Sequence, residues 1–211
     1  MKINIKKEIQ KISEHIYSYR RDFHQYPELS FQEYRTAETI SKHLESFGIE
    51  HRTEVGKTGV VGEIVFGDGP TIALRADMDA LPIQEVGDLE YKSKNEGVMH
   101  ACGHDGHMAM LLGAAHKLST NANFSGTIVF IFQPNEEHGL GAKAMMEEGL
   151  LENFPVQEIY GMHNLPGVPT GELLTRSGII CSSESLFEIK IKGIGCLLYT
   201  SPSPRDQRGS G

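Results

Sequence analysis

Cysteine is scarce in this chain, positive charge is outnumbered, and long apolar runs are missing. The three cysteines, Cys102, Cys181 and Cys196, fall at irregular spacing, which excludes a disulfide framework and points to a reducing, cytoplasmic setting. Lys and Arg total 20 against 28 Asp and Glu, a formal net charge of −8. That balance argues against nucleic acid as a main partner, because phosphate binding draws on a basic surface. No stretch approaches the roughly 18 consecutive apolar residues of a membrane span. The opening Met1-Lys2-Ile3-Asn4-Ile5-Lys6-Lys7 leads into polar, helix-forming sequence, without the apolar segment and small-residue cleavage site of a signal peptide. Tryptophan is absent, whereas histidine occurs 10 times. Several histidines stand beside Asp, Glu, Gly or Cys, a setting that asks for metal or acid–base chemistry. The 39% hydrophobic and 23% charged residues are the mix of a soluble globular protein, and 211 residues suffice for one domain, or one and part of a second.

Ile5, Ile9, Ile12, Ile16, Tyr19 and Phe23 recur at steps of four and three, which predicts one helix with an apolar stripe. It should end near Tyr26-Pro27, since the residue before proline avoids the helical region. Ser30 and Glu33 fit a capping box opening a second helix, with Tyr34, Ala37, Ile40, Leu44 and Phe47 as its buried face and Gly48 as its end. Val60–Phe66 and Thr71–Ala76 flank Gly67-Asp68-Gly69-Pro70 and read as a hairpin. Residues 105–118 are helical. Thr127–Phe132 is a continuous apolar run, suited to a strand buried on both faces. A short helix over 141–150 and strands over 158–162 and 171–175 follow. Alternating strands and helices predict an α/β fold with a mixed, largely parallel sheet flanked by helices. From Ser185, Phe187, Ile189 and Ile191 alternate with Glu188, Lys190 and Lys192, which reads as a half-exposed strand opening a second domain.

Four clusters carry chemistry. Leu74-Arg75-Ala76-Asp77-Met78-Asp79-Ala80-Leu81-Pro82 closes a strand, where ligands bind in open α/β sheets; by itself it suits an Asp-rich turn equally well. His100-Ala101-Cys102-Gly103-His104-Asp105-Gly106-His107 places a thiol and an imidazole two residues apart on a glycine-rich loop, so both can face one cation. Glu136 and Glu137 follow the most apolar strand, a costly place for charge unless a cation or a catalytic role compensates. One can bind metal while its neighbour handles protons; an acidic helix start is the plainer reading. His138 beside them suits the pocket wall or solvent better than a metal. His163, again at a strand end, gains weight only from the other three clusters.

In this order the clusters resemble the metal-dependent amidohydrolase family of hippurate hydrolases, auxin-conjugate hydrolases and N-acetyl-diaminopimelate deacetylases, in the clan of aminoacylases and carboxypeptidases. Arg21-Asp22-Phe23-His24-Gln25-Tyr26-Pro27-Glu28-Leu29-Ser30 and Gly141-Ala142 add to the match, which runs from about Ile16 to Gly195. The resemblance implies Cys102, His104, Glu137 and His163 as metal ligands and Glu136 as general base. It implies Asp79, with Asp77 as the alternative, as the carboxylate that orients a ligand histidine or the metal's water. It further implies two divalent metal ions (Zn, Mn or Co), whose charge lowers the pKa of a water from 15.7 towards about 7, and a small-molecule N-acyl amino acid as substrate. The family fold is a catalytic α/β domain with an inserted α/β lid that often mediates dimerisation, so a homodimer through the lid is expected. On that pattern 1–183 is the catalytic domain, 184–195 begins the lid, and 196–211 is a non-native tail. The family continues with Gly-Gly-His where this chain has Gly195-Cys196-Leu197-Leu198, and its further histidine ligand near the C-terminus has no counterpart. A fragment of this kind is expected to bind metal weakly and turn over little. A dipeptidase or carboxypeptidase of the same clan would use nearly the same centre, although such relatives usually carry His-x-Asp in the strand and an Asp in the later loop. A non-catalytic metal-binding protein is the third reading, against which the intact Glu136 beside Glu137 speaks.

Overall fold

The structure is a computed structural model that describes residues 5–120, 123–183, 185 and 187–193. The chain divides into two compact units, Met1–Pro166 and Gly167–Gly211. Among the described residues, the first contains every regular element: α1 (Ile5–Gln10), α2 (Ser13–Gln25), α3 (Tyr34–Ser46), β1 (Glu50–Val55), β2 (Gly59–Phe66), β3 (Thr71–Asp77), α4 (His104–Thr120), β4 (Gly126–Gln133), α5 (Gly141–Glu147), α6 (Leu150–Asn153) and β5 (Glu158–Gly161). None of the described helices is long and apolar enough to cross a membrane.

The strands form one mixed sheet in the order β1-β2-β4-β3-β5. β2 runs antiparallel to β1 and β4, while β3 runs parallel to β4 and β5. β4 sits at the centre because its side chains are apolar on both faces. Ile128, Phe130 and Phe132 join one core with Phe23, Ile40, Leu44, Met108 and Leu112 from α2, α3 and α4. Val129 and Ile131 join a second core with Met145, Leu150 and Phe154 from α5 and the segment after it. The result is a three-layer α/β/α arrangement, in which each fully buried large side chain contributes about 1.5–3 kcal/mol.

Several expectations are corrected. Val60–Phe66 and Thr71–Ala76 do not pair as a hairpin. Both pair with β4, which fills the slot between them: two half-apolar strands bury more surface against an apolar centre than against each other. The true hairpin is β1–β2, and β1 carries no apolar alternation because it is a mostly exposed edge. The first helix is two, interrupted at Lys11-Ile12; Ile9 is exposed, and the buried stripe is confined to α2. α2 stops at Gln25, just before Tyr26-Pro27, as expected.

Ser30 and Glu33 form no capping box. The Glu28 carboxylate caps α3 instead, accepting the backbone N–H groups of Arg35 and Thr36 and the Thr36 hydroxyl at 2.7–3.1 Å, while Ser30 and Glu33 are drawn into the site described below. Gly48 (φ 71°) ends α3 as expected, its N–H bonding Glu45 and the next N–H bonding Leu44. Residues 171–175 form no strand, nor do the described residues of 185–193; a strand needs a ladder partner, and none lies beside them among the described residues. The tail expected at 196–211 lies outside the described residues.

Candidate metal centre

Parallel pairing of β3 with β4 and β5 brings three carboxyl ends to one edge of the sheet, with Asp77 opposite Gln133 and Arg75 opposite Gly161. The loops leaving that edge carry Asp79, Glu136-Glu137 and His163, and α4 starts beside them at His104. All four sequence clusters therefore share one rim.

The loop after β4 is held by its backbone. The N–H of Asn135 donates to Glu33 at 2.9 Å, and those of Glu136 and Glu137 donate to the two oxygens of Asp79 at 3.0 and 3.1 Å. Asn135 takes the left-handed conformation (φ 45°), which lets three successive N–H groups turn towards two buried carboxylates. Glu33 also accepts the Thr58 hydroxyl at 2.5 Å, and burial holds its carboxyl above the ordinary range. Asp79 also accepts the Ser30 hydroxyl at 2.7 Å. Burial pushes the Asp79 carboxyl upward, but these donors together with His104 outweigh it and hold it below the usual value. The function of Ser30 and Glu33 thus lies in pinning this loop, a role that sequence spacing does not reveal.

His104 is fully buried. Its Nδ1–H donates to the backbone oxygen of Asp79 at 2.8 Å, which fixes the tautomer and leaves the Nε2 lone pair facing the rim. That Nε2 has no hydrogen-bond partner, and neither has the buried Oε1 of Glu137, 3.8 Å away. Two orphaned buried polar atoms facing each other are costly unless something bridges them. Cys102 completes the group: the ligand atoms of Cys102, His104 and Glu137 lie within 4.8 Å of one another. His163 Nδ1–H donates to the Asn164 carbonyl at 2.7 Å, so its Nε2 points inward, 3.4 Å from the Cys102 sulfur. A second set of ligand atoms within 4.8 Å joins His163 and His104 with Asp77 and His107. Sulfur, imidazole nitrogen and carboxylate oxygen, all turned to one space, are the donor set of a borderline divalent cation.

Electrostatics agree with that chemistry. Burial, then the charges of Glu137, Glu136 and Asp77, push the Cys102 thiol up to about 12, so only a cation would make it a thiolate at neutral pH. Glu136 is half-buried with Oε2 3.8 Å from His104 Nε2. Burial, helped by Asp77 and Glu137 and opposed by His104, lifts its carboxyl above the ordinary value, the direction that suits a proton acceptor working near neutrality. Burial also pushes Asp77 up, but the bond from His107 and the charges of His104 and Arg75 win and hold it well below the usual carboxylate range.

Residues 73–199 match the family model described as Peptidase family M20/M25/M40. The chain belongs to this peptidase family. Among M20 relatives, the IAA-amino acid hydrolase ILR1-like 2 of Arabidopsis thaliana is 49% identical over 177 residues, covering 83% of this chain and 40% of the relative. The N-acetylcysteine deacetylase of Bacillus subtilis is 49% identical over 179 residues, covering 83% of this chain and 47% of the relative. The crystal structure of the Bacillus subtilis YXEP protein, a dinuclear metal binding peptidase from the M20 family, superposes with a TM-score of 0.72 at 48% identity, covering 77% of this chain and 45% of that one. The chain thus spans less than half the length of these M20 proteins.

The family resemblance singles out Cys102, His104, Glu136, Glu137, His163 and Asp79, with Asp77 as the alternative to Asp79, and the structure gathers all of them at one rim. His107 went unassigned, although it stands in the same motif. Its Nδ1–H donates to Asp77 at 2.6 Å, and its Nε2 meets Asn164. His138 is exposed and faces Ser30 and Asn135 at 3.0 and 3.1 Å.

Proposed function

We propose that this chain carries the greater part of the metal centre of an amidohydrolase that cleaves the amide bond of N-acyl amino acids. The observation that carries the reading is the pair of orphaned atoms, His104 Nε2 and Glu137 Oε1, facing the Cys102 sulfur and the inward Nε2 of His163. Cys102, His104, Glu137 and His163 would hold two divalent ions, in keeping with the dinuclear metal binding named for the YXEP protein. When bound, the ions supply Lewis-acid polarisation of the amide carbonyl and acidify a water.

Everything else is done by the chain's own residues. Glu136, lifted by burial, accepts the proton of the attacking water and passes it to the departing amine. Asp79 holds Glu136 and Glu137 through their backbone N–H groups and supports His104 through its carbonyl. It thus fixes the distance between base and ligands. An N-acyl amino acid as substrate is supported by relatives named for N-acetylcysteine and IAA-amino acids. Residues 1–183 would form the catalytic part and 184–195 open the lid, through which the longer protein pairs as a homodimer in the cytoplasm.

The test is Glu136→Gln in a complete relative with the same motif. Metal content should persist while hydrolysis of N-acetyl amino acids falls by roughly 10²–10⁴. Full activity in that variant would remove Glu136 from its role, and loss of metal would make it a ligand instead. Faster cleavage of dipeptides than of N-acetyl amino acids by the unaltered relative would favour the peptidase branch.

A further inference from the structure

His107 lies one helical turn after His104 and is buried, yet its surroundings differ. Arg75 Nη1 donates to Asp77 Oδ2 at 2.7 Å, and Asp77 Oδ1 accepts the Nδ1–H of His107 at 2.6 Å. That bond leaves the Nε2 of His107 as an acceptor, and the backbone N–H of Asn164 reaches it at 3.1 Å. The Asn164 carboxamide, 2.7 Å from the same nitrogen, then turns its NH₂ to the ring, since two acceptors cannot share that contact. Asn164 in turn accepts the Nδ1–H of His163 on its carbonyl at 2.7 Å. The series Arg75, Asp77, His107, Asn164, His163 is unbroken, and it crosses from the end of β3 through α4 to the loop after β5.

A second observation points the same way. Gly103, between Cys102 and His104, has φ 93°, and a Cβ there would lie 2.3 Å from the Asn164 side chain. The loop that bears Cys102 is thus pressed onto the loop that bears His163, with Asn164 between them.

We infer that His107 is a positioning residue that, through Asn164, sets the place and tautomer of His163 opposite Cys102. This rests on the metal-centre reading above. Supporting residues of this kind typically change metal affinity by about 10–100-fold.

The two amide replacements separate the contacts. His107→Asn can keep the bond to Asp77 but falls short of Asn164; His107→Gln can reach Asn164 but gives up the bond at the Nδ1 position. Co²⁺ titration of the 211-residue chain, read by its thiolate charge-transfer and visible bands, gives affinity and ligand set together. His107→Asn should weaken Co²⁺ binding by about tenfold or more and alter the visible bands, while His107→Gln recovers most of both. Thermal melting of the apo variants controls for fold: lowered melting with unchanged affinity and bands would overturn the inference, as would equal behaviour of the two variants. Should His107→Asn not fold, the exposed Asn164→Pro takes its place, because it removes both the N–H and the carboxamide that meet His107 and keeps the carbonyl that meets His163; weakened binding with shifted bands supports the inference, and unchanged titration ends it. An unaltered chain that binds no Co²⁺ would instead defeat the metal-centre reading itself.

Discussion

Two regions of the first turn of α4 face the same rim and end in opposite states. At His107 both ring nitrogens are engaged, with Asp77 on one side and Asn164 on the other. At His104 only Nδ1 is engaged, and Nε2 looks across 3.8 Å at an equally unpartnered Glu137 oxygen. Burial is the same and the residue type is the same. What differs is closure: one imidazole belongs to a finished network, the other to a network missing a member. Buried polar groups that satisfy one another hold a shape, whereas converging donors left open mark the place where a cation would act.

Altering the open ring should have the largest effect. His104→Ala removes a ligand outright, so Co²⁺ or Zn²⁺ affinity should fall by more than the roughly 100-fold upper range of supporting residues, as read by titration calorimetry. Retained affinity would show that the open nitrogen is incidental. Next comes the Asp79 carboxylate, which pins the loop bearing Glu136 and Glu137. Asp79→Asn leaves an amide with one good acceptor for the donors from Ser30, Glu136 and Glu137. Charged hydrogen bonds are worth about 1.5–3 kcal/mol each, so urea denaturation should register a loss of about 2–4 kcal/mol. Unchanged stability would mean that the loop holds itself.

The smallest effect is expected at a third imidazole, His24, which bridges Asp105 at 2.9 Å and Glu85 at 3.2 Å. The Asp105 bond, opposed by burial and helped by Glu85, raises the His24 pKa above 6.5. The folded state therefore binds this proton more tightly than the unfolded chain does. The stability it adds is complete below pH 6.5 and is lost as pH rises through the raised folded value. Denaturation midpoints measured across that window should fall, and His24→Gln should flatten the slope; an equal slope in both proteins would place its cause elsewhere.

The sequence made the rim legible and left the wiring beneath it hidden. The apolar run at Thr127–Phe132 announced the central strand because burial on both faces leaves no alternation. Glu136 and Glu137 stood out because charge is costly where a core strand ends, Cys102 and His104 because a thiol and an imidazole crowd one glycine-rich loop, and His163 only beside the other clusters. The hairpin reading failed because local turn chemistry at Gly67–Pro70 does not say which strand will occupy the slot between β2 and β3. β1 was missed because an exposed edge has no hydrophobic signature. The bonds from Ser30 to Asp79 and from His107 to Asp77 join residues 49 and 30 positions apart, and no spacing rule reaches that far. Glu33 illustrates the competition: its local pattern fits a helix cap, yet the fold spends it on Asn135 and Thr58.

The claim that the open ring awaits a cation is tested most directly by adding Co²⁺ to the metal-free chain at neutral pH. The Cys102 thiol, pushed up to about 12 without metal, should lose its proton on binding. A thiolate-to-cobalt band should appear with measurable proton release, and both should vanish in Cys102→Ser. Binding without that band, or no binding at all, would contradict the account.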